Sequence, residues 1–143
     1  MKKKIILLGA LIIYLQGFVQ NNTTRNPLAH TFSIVARDPF TGELAVGVQS
    51  HWYSVGTIVS WAKSGVGVVA TQSFVNPAYG PDGLKLMESG MSPAEALKKM
   101  IEADEGRQYR QVALLDAAGN VDAFTGSLCI KYASQIVGPN YSV

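Results

Sequence analysis

The 143 residues carry twelve Lys and Arg against ten Asp and Glu, with 48% hydrophobic and 15% charged side chains, which excludes a disordered chain and suits one domain with a single core. Lys2, Lys3 and Lys4 account for the basic excess. Without them nine basic residues face ten acidic ones, about −1 in net charge, and no basic cluster remains to grip nucleic acid.

In chain order, Met1-Lys2-Lys3-Lys4 and the apolar run Ile5 to Leu15 have the charged start and short greasy middle of a secretory signal peptide over residues 1–20, with cleavage expected around Gly17 to Gln20. The run falls short of the roughly 20 apolar residues of a spanning helix. This predicts an exported protein, periplasmic or extracellular, that meets the membrane only through its leader; a retained anchor is the alternative. No cysteine lies near the cut, which disfavours a lipoprotein. Residues 21–29, with Asn21-Asn22-Thr23-Thr24-Arg25-Asn26-Pro27, read as a polar linker, and the domain is expected over 30–143.

From Thr31 to Ser50 the sequence predicts a β-hairpin. Phe32, Ile34 and Ala36 alternate with Thr31, Ser33, Val35 and Arg37; Asp38-Pro39-Phe40-Thr41-Gly42 supplies turn residues, and Leu44 to Val48 continues extended. His51 to Val55 has no clear pattern. Gly56 to Trp61 is apolar with β-branched Thr57, Ile58 and Val59, and Gly65 to Ser73 reads as a clear strand. Asn76-Pro77-Ala78-Tyr79-Gly80 then breaks the sheet pattern before a helix expected from Asp82 or Gly83 to Glu88.

Ser92-Pro93-Ala94-Glu95 holds the residues of a capping box: Ser at the N-cap, Pro at the first helical position, and Glu three residues after the Ser. The apolar face Ala96, Leu97, Met100, Ile101 and Ala103 follows at helical spacing, so two helices form an αα-hairpin layer. Gln111 to Asp116 and Val121 to Thr125, around Ala117-Ala118-Gly119-Asn120, predict a second β-hairpin. The order hairpin, strand, helix pair, hairpin predicts an α+β domain of antiparallel strands with segregated helices. From Gly126 to Val143 the pattern is weak.

Several uncommon blocks occur in sequence: Thr31-Phe32-Ser33-Ile34-Val35-Ala36-Arg37-Asp38, Thr41-Gly42-Glu43-Leu44-Ala45-Val46, Gly65-Val66-Gly67, Ala70-Thr71-Gln72, Asn76-Pro77, Tyr79-Gly80, Arg107 to Val112 and Phe124-Thr125-Gly126. Together they resemble the bacterial domain of unknown function 1028 family, over His30 to Val143. The resemblance implies an Ntn-hydrolase-like fold, a four-layer αββα sandwich with antiparallel sheets, of the kind found in proteasome β-subunits. The family pattern continues beyond Val143, so later strands and helices are expected to follow in a complete member.

In that superfamily a hydroxyl attacks a carbonyl and the same residue's free α-amino group, titrating near ~7.7 to 8.0, takes the proton. The resemblance places Thr31 as the nucleophile. An internal threonine has no free amine, so this chemistry requires a cut between His30 and Thr31 after leader removal. Lys63, 32 residues after Thr31, matches the spacing of the proteasome-type lysine whose charge lowers neighbouring pKa values, with a surface lysine as the alternative. Gly47 stands where such sites carry the lysine's acidic partner.

Asn76 is a third candidate, as an oxyanion donor, although turn formation before the helix explains it more cheaply. Cys129 is expected to be a buried inert thiol, with a nucleophile as the alternative. His30 and His51 lack ligand spacing, so neither a metal nor another cofactor is expected. Trp52, Tyr53 and Trp61 suit the core better than a pocket. The sequence therefore predicts an exported Ntn-type hydrolase of an amide or peptide bond, acting on a small molecule or peptide. A non-catalytic envelope binding module is the alternative, and self-association into a homo-oligomer a third expectation.

Overall fold

The computed structural model describes residues 30–143; the expected leader over 1–20 and linker over 21–29 lie outside them. Two four-stranded antiparallel sheets pack face to face, and helices cover one of them. Among the described residues no helix is long and apolar enough to cross a membrane.

The first hairpin is β1 (Phe32–Arg37) and β2 (Leu44–Gln49), in the register Phe32 opposite Gln49 and Arg37 opposite Leu44. Its turn closes because the Asp38 carboxylate accepts the Phe40 and Thr41 amides at 2.7 and 3.0 Å, and Gly42 takes the positive φ of +76° that side chains disfavour.

The apolar stretch expected to be extended from Gly56 divides. Gly56–Val59 forms a single helical turn, α1, before β3 (Ser60–Lys63). The Thr57 and Ser60 hydroxyls donate to the Ser54 and Gly56 carbonyls, local bonds that compete with a ladder and outweigh the weak extended preference of Thr57, Ile58 and Val59.

Strand β4 (Gly67–Ser73) is the centre of the second sheet, whose order is β3-β4-β5-β6, with β5 (Arg110–Asp116) and β6 (Val121–Thr125) forming the predicted second hairpin. Two-residue alternation divides this sheet cleanly. Val69, Val112 and Leu114 face the helices, whereas Val68, Ala70 and Leu115 face β1 and its Val35.

Helix α2 (Tyr79–Glu88) begins three to four residues earlier than the sequence predicts. Pro81 sits in its first turn, where an amide has no intrahelical partner and proline costs nothing. Helix α3 (Pro93–Ala103) starts with the complete capping box, Ser92 Oγ accepting from the Glu95 amide and the Glu95 carboxylate from the Ser92 amide. Leu84, Met87, Ala96, Leu97 and Met100 then close over the sheet. Trp61 joins this core by lying against the backbone of Gly80, where a Cβ would fall 2.2 Å from its indole.

The weakly patterned carboxyl segment contributes two strands that the sequence does not announce. β7 (Val137–Gly138) and β8 (Tyr141–Ser142) pair with each other, and β8 pairs with β1, giving a first sheet of order β2-β1-β8-β7. Two residues per strand are too few to display a period. The outer face of this sheet exposes Phe32, Ile34 and Tyr141.

Candidate functional site

Thr31 stands at the head of β1. Strand alternation puts it on the same side as Ser33 and Val35, toward the other sheet. Its Oγ1 lies 2.9 Å from Ser50 Oγ, which also accepts the Trp52 amide at 3.1 Å. A half-buried hydroxyl pair therefore marks one end of the space between the sheets.

Deeper along the same face, a chain of uncharged groups crosses from sheet to sheet. Ser33 Oγ donates to Gln72 Oε1 at 2.5 Å, Gln72 Nε2 to Gln111 Oε1 at 3.3 Å, and Gln111 Nε2 to Thr125 Oγ1 and the Ser134 carbonyl, both at 3.1 Å. Gln72 and Gln111 are direct register partners on β4 and β5, which is why their amides meet. The walls include Val35, Ala70, Ala113 and Ser142, and no lining residue is charged. The Ser142 hydroxyl is buried with no hydrogen-bond partner among the described residues. Sequence reasoning missed this ladder, although a signal was present: alternation along Val68, Ala70 and Gln72 puts a glutamine on a core-facing position.

Lys63 is not brought to Thr31. It pairs with Gly67 at the far end of the β3–β4 ladder, whereas Ser33 bonds Gln72, five positions further along β4. At about 3.4 Å per residue that run is roughly 17 Å. Lys63 also faces the helices, where its Nζ donates to both Glu88 carboxylate oxygens at 2.6 and 2.7 Å. The surface alternative is what the structure presents. Gly47, opposite Ile34, lies on the first sheet and offers the lysine nothing.

Asn76 serves its own turn. Its Oδ1 accepts the Ala78 amide at 3.2 Å and its Nδ2 reaches Asp104 Oδ2 at 3.5 Å, on the helical side of the sheet. There it meets a network that the sequence does not reveal. Asp104 Oδ2 accepts from Tyr79 Oη and Arg110 Nε, both at 2.9 Å, and Oδ1 accepts the Gly106 amide at 2.7 Å. Arg110 Nη1 donates to the Phe74 carbonyl at 2.6 Å. Burial alone raises the Asp104 carboxyl, but the hydrogen bonds from Arg110, Tyr79 and Gly106, with the Arg110 charge, outweigh it and hold the pKa at about 2. Burial and the same hydrogen bond push the Tyr79 phenol well above its ordinary value. Every charge here is answered by a partner, so this is a lock between α3, the start of α2 and β5.

The remaining candidates scatter. Trp52 and Tyr53 are exposed, outside both core and cleft, because the segment after β2 turns outward instead of extending; Trp61 is in the helical core. Cys129 is half-buried, its thiol 3.4 Å from the Arg110 carbonyl. His30 is exposed, and His51 is exposed beside Trp52. Among the described residues no three His, Cys, Asp or Glu side chains converge.

Fold and site together define an α+β domain of two facing antiparallel sheets, with a neutral polar cleft lined from the first strand by Ser33, two residues beyond Thr31. The profile of a family of unknown function, DUF1028, matches residues 31–143, and the chain belongs to that family. The crystal structure of protein SPO2555 from Silicibacter pomeroyi, of the same family, is similar at 30% identity and a TM-score of 0.76. The similarity covers 80% of this chain and 51% of that one, so the chain spans about half the length of that relative. Curated proteins give no match.

Proposed function

We propose that the protein is an exported Ntn-type hydrolase of an amide or peptide bond, with Thr31 as nucleophile once the His30–Thr31 bond is cut. The observation that supports this most directly is the Thr31 hydroxyl at the head of β1, 2.9 Å from Ser50 Oγ and facing the cleft between the sheets. In the cutting step Thr31 Oγ attacks the His30 carbonyl, and the acyl group passes from nitrogen to oxygen as an ester. The shift frees the α-amine, and water then hydrolyses the ester, releasing the upstream peptide as a carboxylic acid and restoring the Thr31 hydroxyl. In turnover that amine takes the hydroxyl proton as Oγ attacks the substrate carbonyl and returns it to the departing amine; water releases the acyl group.

On this reading the domain is the Ntn-type αββα sandwich, and the outer face bearing Phe32, Ile34 and Tyr141 belongs against its second helical layer. The long separation of Lys63 from Thr31 favours a second reading, a binding module that keeps the architecture without the reaction.

Intact-mass measurement and amino-terminal sequencing of secreted protein decide between them. The hydrolase reading expects a mature chain beginning at Thr31 and a Thr31→Ala variant that retains the upstream residues and loses hydrolysis by at least ~10³-fold, the scale of a missing nucleophile. Folded, functional protein that still carries residues ahead of Thr31 refutes it.

A further inference from the structure

The glutamine ladder leaves hydrogen-bonding capacity unspent. Thr125 accepts from Gln111 and keeps its own proton to give; Gln72 keeps one N–H and one carbonyl lone pair; Ser142 Oγ, in a residue only 1% exposed, has no partner among the described residues. All three line the same cavity of about 30 Å³, which also reaches Ser33. That space accommodates roughly two water-sized groups, the size of the paired oxygen and nitrogen of an amide.

We infer that this cavity is a recognition subsite for an uncharged carboxamide carried by the acyl part of the substrate. The inference rests on the hydrolase reading for its place in a reaction, since Ser33 is two residues inward from Thr31 on one strand face, roughly 7 Å away. It rests on the cavity alone for its chemistry. A carboxamide presents an acceptor and donors together, which matches a lining with both kinds of group unspent. A carboxylate is acceptor-only and charged, and would lose its hydration against walls that hold no cation; an ammonium would find no anion. The preferred substrate is therefore an amide or peptide whose acyl residue ends in a neutral amide, as a glutamine or asparagine side chain does.

The test uses acetamide and acetate as probes of the full chain and of its Thr31→Ala variant, read by thermal unfolding and by crystals soaked in each. Acetamide is expected to raise Tm in both proteins while acetate does not, with density for the amide between Ser33, Gln72 and Ser142. Ser142→Ala removes a buried hydroxyl that has no partner, so it should unfold no earlier than the parent yet bind acetamide about tenfold more weakly, the worth of one neutral hydrogen bond. Gln72→Glu keeps the shape but trades the free N–H donor for a charged acceptor, and should weaken acetamide binding while acetate still fails to raise Tm. Equal responses to the two probes, no response to either, undiminished binding by Ser142→Ala, or water alone in the cavity overturns the inference. Acetamide binding that persists in Thr31→Ala upholds the subsite even where no hydrolysis is ever seen.

Discussion

The sheet β3-β4-β5-β6 has two faces built from the same alternating strands, and they are finished in opposite ways. Toward α2 and α3 it presents Val69, Val112 and Leu114 in an apolar core, bordered by a network in which Asp104, Arg110 and Tyr79 satisfy one another. Toward β1 it presents Val68, Ala70 and Leu115 at one end and a string of glutamines and hydroxyls at the other, with Ser142 left unmatched. A polar group that bonds fully to its neighbours stabilises; linked groups that keep capacity beside a cavity leave room for a ligand. The helix-facing side also buries a hydroxyl without a partner among the described residues, that of Thr71, but it lacks the linked amides of the cleft, so the difference favours stability on the helical face and, on the proposal above, recognition in the cleft.

The sharpest break of this comparison is a pair of truncations on one strand. Leu114→Ala should cost about 3–5 kcal/mol in urea unfolding, because its fully buried side chain is enclosed by two helices that cannot collapse onto the gap. Gln111→Ala, three positions away on the cleft face, should cost below about 1.5 kcal/mol. Equal losses would remove the division of labour.

Next in size is Asp104→Asn, expected to cost about 2–3 kcal/mol by removing the carboxylate charge that accepts from Arg110 Nε, Tyr79 Oη and the Gly106 amide. Its pH signature is directional. The Asp104 pKa is held at about 2, below the ordinary aspartate value of 3.8, so the unfolded chain binds the proton first. The contribution is thus complete above pH 4 and fades as pH falls through about 2; Asp104→Asn should flatten that part of the stability profile. Smallest is Lys63→Ala. Its half-exposed pair with Glu88 is worth below about 1 kcal/mol, and hydrolysis, processing and acetamide binding should all be unmoved. Loss of activity in Lys63→Ala would restore the lysine to the site.

Much of the framework was legible because short-range rules govern it. Both hairpins follow from alternation around turn residues, and α3 follows from Ser92, Pro93 and Glu95, whose bonds form within one turn. The misses are of three kinds. Strands β7 and β8 are too short to show a period, and α1 is decided by two hydroxyl bonds that outweigh β-branched composition. Lys63 shows that an offset along the chain does not choose an end of a sheet; the β3–β4 register does. Tyr79, Asp104 and Arg110 belong to separate segments, and only the packing of α3 beside β5 gives them a common centre.

The strand that carries Thr31 lies inside its sheet. β2 holds it along its full length, and β8 pairs with it near its other end. Scission immediately upstream would therefore create a new terminus without creating a loose one, since Thr31 stays seated against Ser50 and Phe32 against Gln49. Fraying, the ordinary fate of a freshly exposed chain end, would be suppressed where, on the hydrolase reading, a reactive amine must hold its aim.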